Sequence, residues 1–338
     1  MEVFNYHRKI QKQTNNIVDQ HGFNHGAFSC EFKNLNFLDI KKVWNKKTPK
    51  WFKKFRLKEW QAFQLWHKEH FVFGAIYNAK IVGVSIVSYY NFKTGFKQHS
   101  IKTTLPFAQK VAWGLNNSRS KNNEIEIKNE IELNRFTIKI DDRPNDLNLN
   151  INAFHITEPH VCCIPFGKNR AMYSHKALMP CSGNLKIGNT TINIGRNDSL
   201  LILDDHKGFY PYKLKYNWAT GAWRKSDGEF YAFNLTENQS IDSENFNENC
   251  FWVNGILQVL PPVKFNFLSG KWIITDAYGM VNLEFTIKSE NTLKSNFGLI
   301  KANYKAPYGV FNGVIKNTKH TIRLNNVYGM GEIKRYSM

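Results

Sequence analysis

Acids, a histidine and aromatic residues that could do proton chemistry gather in two segments of the chain. The first is DDHKGFYPYKLKYNWATGAW, residues 204–223, where two acids, a histidine and a lysine precede Gly208. Asp205 and His206 are adjacent, so on an extended chain their side chains diverge, and only a turn would bring them together. A carboxylate close to an imidazole favours its protonated form and suits acid–base work near neutral pH. The plainer reading is a solvent-facing turn after the apolar strand SLLIL, residues 199–203.

The second segment is NLTENQSIDSENFNENCFWVNG, residues 234–255, with Glu237, Asp242, Glu244 and Glu248 set among asparagines. Asn254-Gly255 is a hairpin signal, because both residues tolerate positive φ. The residues before it are then a strand, and Glu248, Cys250 and Trp252 share one face. A carboxylate on an apolar face has its neutral form favoured and can act as a general acid. If the strand instead begins at Cys250, Glu248 sits in water. His175, in MYSHKALMP, ends a strand-like run beside Lys176; a structural histidine is the simpler reading there and a ligand contact the other. His67, His70 and His99 show no metal-ligand spacing. No P-loop, GxGxxG, HExxH or GxSxG occurs, which argues against the usual nucleotide hydrolases, Rossmann enzymes, zincins and serine hydrolases.

The elements that must hold these residues are strands. The runs 70–92, 123–140, 184–194, 226–235, 271–287, 308–315 and 320–336 are β-rich or alternate polar with apolar residues, and turn signals break them. The best helix candidate is LPFAQKVAWGL, 105–115. Many short strands at regular spacing predict sandwiches or barrels. A chain of 338 residues fits two domains or one large one, and the polar, proline-bearing stretch 143–161 places the boundary near residue 155. Residues 1–155 are then a first domain with an irregular basic leader, and 156–338 a second.

The net charge of +19 favours anionic company. It concentrates in KKVWNKKTPKWFKKFRLKEW, 41–60, with nine Lys or Arg and one Glu among Trp44, Trp51, Phe52, Phe55 and Trp60. Such a stretch suits an anionic membrane surface. The simpler reading is a loop whose aromatics pack inward under lysine stems. No nucleic-acid-binding motif accompanies it, so no specific nucleic acid is expected. The five cysteines, Cys30, Cys162, Cys163, Cys181 and Cys250, are odd in number and lack CxxC spacing, so reduced thiols are expected. No apolar leader and no run of 18 apolar residues is present, which predicts a cytoplasmic protein, peripheral to the membrane if residues 41–60 dock there.

DDHKGFYPYKLKYNWATG, FNLTENQSIDSENFNENCFWVNGILQVLPPVKF, APYGVFNGVI and NNVYGMGEIKRY resemble the bacterial family known as domain of unknown function 2804, and RLKEWQAF (56–63) fits its amino-terminal half. The resemblance runs from about residue 20 to 338. A weaker one concerns the tryptophan-rich strand NWATGAW, then SDGEFYAFNL and the hairpin at VNG. It is similar to tandem lipocalin-like proteins, which include carotenoid hydratases, tocopherol cyclases, hydroxyneurosporene synthase-like proteins and a fungal survival-factor family linked to lipid handling. That likeness implies an all-β fold of two lipocalin-like (calycin-type) barrel or sandwich domains packed together, with a ligand cleft in or between them.

The resulting expectation is a hydratase, cyclase or isomerase that works on an apolar or amphipathic small molecule without metal or nucleotide cofactor. Glu248 is the expected proton donor, and Asp205 with His206 the base or its orienting partner. Trp218, Trp223 and Trp252 are expected to wall the cavity, Asn234 and Asn249 to orient polar groups of the ligand, and Tyr210 and His175 to contact it. One rival is a non-catalytic carrier of a lipid or other apolar ligand. Another is a carbohydrate-active enzyme using paired carboxylates.

Overall fold

The computed structural model describes residues 6–12, 15–297 and 300–337; of residues 295, 297 and 300 it describes the backbone alone. The chain is built from strands, with one α-helix among the described residues, Lys50–Arg56. Three sheets form. The first has nine strands in the order Ile10–Gln11, Gly26–Phe28, His160–Gly167, Arg170–Met179, Ser199–Gly208, Lys58–His67, His70–Asn78, Gly83–Asn91, Lys97–Thr104. The second has six, Thr190–Ile194, Cys181–Ile187, Leu147–Phe154, Arg135–Asp142, Ile125–Glu130, Ser118–Lys121. The third has nine, Ile256–Val259, Cys250–Val253, Phe230–Glu237, Lys213–Arg224, Thr321–Ser337, Ile300–Lys316, Val281–Phe297, Lys271–Asp276, Val263–Leu268.

Alternation explains how the sheets stack. In IEIKNE and LNLNINAF every second residue is buried. Ile125, Ile127, Ile138, Ile140, Leu149 and Ile151 pack on Phe63, Leu65, Val72 and Leu203 of the first sheet. The first two sheets thus close a core between them. The third sheet curls around a core of its own, centred on Phe233, Phe285, Phe311 and Trp272. Strands of the first sheet such as Ser199–Gly208 are buried along their whole length, because their second face is covered as well. That cover is the third sheet: Trp66, Phe71, Phe73 and Leu200 pack with Trp218, Trp252, Tyr304, Tyr308 and Met330. The result is the expected all-β fold, built of curled and packed sheets.

The expected helix needs correcting. Residues 105–115 form no α-helix; Pro106–Ala108 is one 3-10 turn, and Lys110 bridges to Lys121. Val111, Ala112 and Leu115 are buried along that irregular path, whereas Leu105, Phe107 and Trp113 are exposed. The Asn312-Gly313 pair lies inside the strand Ile300–Lys316, at a bulge against the strand Thr321–Ser337, where Gly313 has φ +129°. Asn254-Gly255 does turn a hairpin, with φ of 50° and 85°. The division expected near residue 155 falls between two strands, Leu147–Phe154 and His160–Gly167, that belong to the first two sheets. Sheet membership passes to the third sheet between Gly208 and Lys213.

Candidate active site

Register sets the site. In the first sheet His160, Lys176, Asp204, Ala62 and Ala75 lie across from one another in one row. Cys162, Ser174, His206, Trp60 and Tyr77 form the next row on the same face. That face meets the third sheet across a cavity of about 320 Å3. Trp60, Lys176, Asp204 and His206 line it from the first sheet, Tyr210 from the connection that follows, and Tyr216, Trp218, Glu248, Tyr304 and Glu332 from the third-sheet side. The remaining walls are largely apolar, including Ala62, Phe73, Ile86, Met172 and Leu293.

At one pole five polar side chains converge. His206 Nε2 lies 2.7 Å from Asp204 Oδ1, which also accepts a hydrogen bond from Lys176 Nζ at 2.7 Å. Lys176 Nζ is 3.4 Å from Glu248 Oε2. Ser174 Oγ donates to Glu248 Oε2 at 2.9 Å and sits 3.1 Å from His206 Nε2. The His206 ring stacks on Trp60, with centroids 4.6 Å apart and planes 13° from parallel. Its Nδ1 has no hydrogen-bond partner among the described residues. Burial alone would raise the Asp204 carboxyl, but His206 and Lys176 outweigh it and hold Asp204 below the usual carboxylate range. Burial would likewise lower the Lys176 ammonium; Asp204 and Glu248 reverse that and keep it charged.

A second polar pole lies on the third sheet. Tyr216 and Tyr304 both donate hydroxyl hydrogen bonds to Glu332. Lys334 Nζ is 3.6 Å from Glu332 and faces the rings of Trp60, Tyr216, Tyr304 and Tyr336 at 4.7–5.6 Å. Burial and the nearby Glu332 carboxylate push the phenols of Tyr216 and Tyr304 well above their ordinary range, so both stay protonated donors.

The expected residues distribute unevenly. Glu248, His206, Trp218 and Tyr210 line the cavity. The strand at Glu248 does begin only at Cys250, yet Glu248 is 3% exposed and faces the site. Asp205 points to the opposite face of its strand, where it pairs with the buried Lys207 at 2.8 Å; Asp204 is the acid beside His206. The reason is the two-residue period of a strand, which puts 204 and 206 on one face. His175 also faces away and meets the Tyr173 hydroxyl at 3.2 Å. Trp223 stacks on Tyr231 outside this cavity, and Trp252 is buried between the sheets, donating to Glu158 O. Asn234 stands one layer back: it accepts from Trp218 Nε1 and donates to Glu248 O, fixing both. Asn249 serves the backbone, accepting from Thr236 N and donating to Pro261 O. Lys176, Ser174, Asp204, Glu332 and Lys334 carry no sequence signature beyond alternation on their strands. Among the described residues no three of His, Cys, Asp and Glu are grouped as metal ligands.

The model of the family described as domain of unknown function (DUF2804) matches residues 7–336. The chain belongs to the DUF2804 family. No curated protein matches its sequence. Among solved structures this DUF2804 chain is similar to a putative AttH from Nitrosomonas europaea, at 13% identity and TM-score 0.54, over 86% of this chain and 98% of that one. It is also similar to kievitone hydratase from Nectria haematococca, at 12% identity and TM-score 0.51, over 82% and 88% of the two chains. A third is CghA with Sch210972, at 9% identity and TM-score 0.51, over 83% and 88%. At these identities the likeness speaks for the shared fold.

Proposed function

We propose that this DUF2804 protein is an acid–base enzyme of hydratase, cyclase or isomerase type acting on an amphipathic small molecule held between the first and third sheets. The observation that carries this reading is the Lys176–Asp204–His206–Glu248 cluster at the wall of a mainly apolar cavity. Buried charge is costly, and this one is fully networked, which is how a fold keeps reactive groups in place. The kievitone hydratase fold is consistent with such chemistry.

In this reading Asp204 accepts the His206 Nε2–H and so fixes the tautomer that leaves Nδ1 with a lone pair. His206, on the cavity wall, takes a proton from the ligand and returns it at a neighbouring atom. Lys176 opposes negative charge that develops on the ligand, and Glu248, held by Ser174 and Asn234, is the second carboxyl of the relay. Trp60 and Trp218 exclude water from the apolar part of the ligand.

The test is to identify the small molecule that copurifies, by native mass spectrometry and solvent extraction, and to incubate the complex in deuterated water. The expected result is deuterium incorporation into the ligand with the native protein, and retention without incorporation for Glu248→Ala and His206→Gln. A ligand that never exchanges, with affinity unchanged in both variants, would make the protein a carrier.

A further inference from the structure

The cavity has a closed end and an open end. Gln64, Phe73 and Thr236 line it where the wall is buried. Ile81, Val82, Lys301 and Ser337 line it where side chains are half-buried or exposed, and this is the mouth. Two segments with large exposed apolar residues are tied to the same rim. Lys58 Nζ donates to the backbone of the lining residue Ala79 and lies 5.6 Å over the Phe55 ring, so the helix Lys50–Arg56 borders the mouth. Gln109 donates to the carbonyl of Tyr77, and Asn78 donates to the carbonyl of Pro106, which brings Leu105 and Phe107 to the same edge. Trp51 is 72% exposed and Phe107 83%, with Phe55, Leu105 and Tyr212 also open to solvent. The segments 50–58, 78–83, 103–110 and 211–215 that carry or adjoin this rim hold nine Lys or Arg and no Asp or Glu.

We propose that this rim is a docking surface for an anionic phospholipid bilayer, seated so that the cavity opens toward the lipid. Exposed aromatics and aliphatics enter the interface, and lysines meet the phosphate layer. Charge complementarity selects this occupant: apolar groups standing singly would be ordinary, but here they border one opening beside the exposed cations Lys50, Lys54, Lys110, Lys213 and Lys215, while Lys80 is paired with Glu59. Not all of the basic run 41–60 takes part. Lys53 is buried and donates to the carbonyls of Leu38 and Ile40, and Trp44 packs on Phe52 and Phe209, so those residues build the platform that presents Trp51 and Phe55. The surface would bring an amphipathic ligand to the mouth without passage through water; docking itself does not depend on turnover.

The experiment is vesicle co-sedimentation of the full chain with phosphatidylcholine vesicles, with and without added phosphatidylglycerol. Binding is expected only to the anionic vesicles and falls as salt rises. Lys50→Glu with Lys54→Glu should weaken it at least about tenfold, given roughly 1 kcal/mol per cation near such a surface. Trp51→Ala with Phe55→Ala and Phe107→Ala should weaken it by a similar factor. Lys139→Glu, on the outer face of the second sheet, should bind like the native chain. All these positions are exposed, and an unchanged melting temperature verifies each fold. Equal binding to neutral vesicles, no binding to anionic ones, rim variants that bind like the native protein, an equal loss for Lys139→Glu, or retention of single-stranded oligonucleotide in place of vesicles would overturn the proposal.

Discussion

His206 receives three polar neighbours at Nε2 and none at Nδ1, and this asymmetry makes the residue testable. His206→Gln should lower deuterium exchange into the bound ligand by about 100- to 10,000-fold, the usual span for a lost general acid–base group, with ligand still retained. Asp204 adds a pH dependence. Its folded-state carboxyl lies below the unfolded value of about 4, so the folded chain binds fewer protons there and gains stability above that pH. That stability is lost as pH falls below about 4, and Asp204→Asn should flatten acid unfolding in this window, read by circular dichroism. Gln64 gives an opposite sign. It is fully buried at the cavity floor, and neither amide atom has a partner among the described residues. Gln64→Leu should therefore leave the melting temperature equal or higher while weakening retention of a ligand that carries a hydroxyl or carbonyl there.

At the scale of elements, what the sequence discloses follows from backbone chemistry. Asn254-Gly255 predicts its hairpin because the turn needs two positive φ values, and Gly255→Ala should cost about 1–3 kcal/mol in urea titrations; a Cβ there would also lie 2.9 Å from Thr157 Cγ2. Asn312-Gly313 has the same letters, but its neighbours continue one long strand, and pairing on both sides converts the turn signal into a bulge. Glu248 is legible as a carboxylate beside an apolar run, but the strand whose alternation pointed to it begins two residues later, at Cys250. Asp204 is less so: adjacency draws attention to Asp205, and only the knowledge that residues 199–208 stay extended through the acids reassigns the partner. Lys176 and Glu332 are not legible, since their roles arise from strands far apart in the chain whose register no local pattern encodes.

At the scale of the molecule, the cores of the two halves are joined by a third, in which Trp66 and Phe73 of one sheet pack with Tyr308 and Met330 of the other. Met330 is fully buried, and Met330→Ala should cost about 2–5 kcal/mol. Because the shared core couples the halves, the chain should unfold in one transition by both tryptophan fluorescence and far-ultraviolet dichroism, with the variant shifting both together.

The stack of Trp60 on His206 reaches beyond structure. An imidazole in face contact with an indole alters its emission, and a ligand that enters on the Trp60 side of the cavity changes that contact. The difference in fluorescence between the native chain and Trp60→Phe, followed as candidate ligands are added, would therefore report occupancy of the cavity. The protein carries its own optical gauge of that space, readable before any ligand is identified.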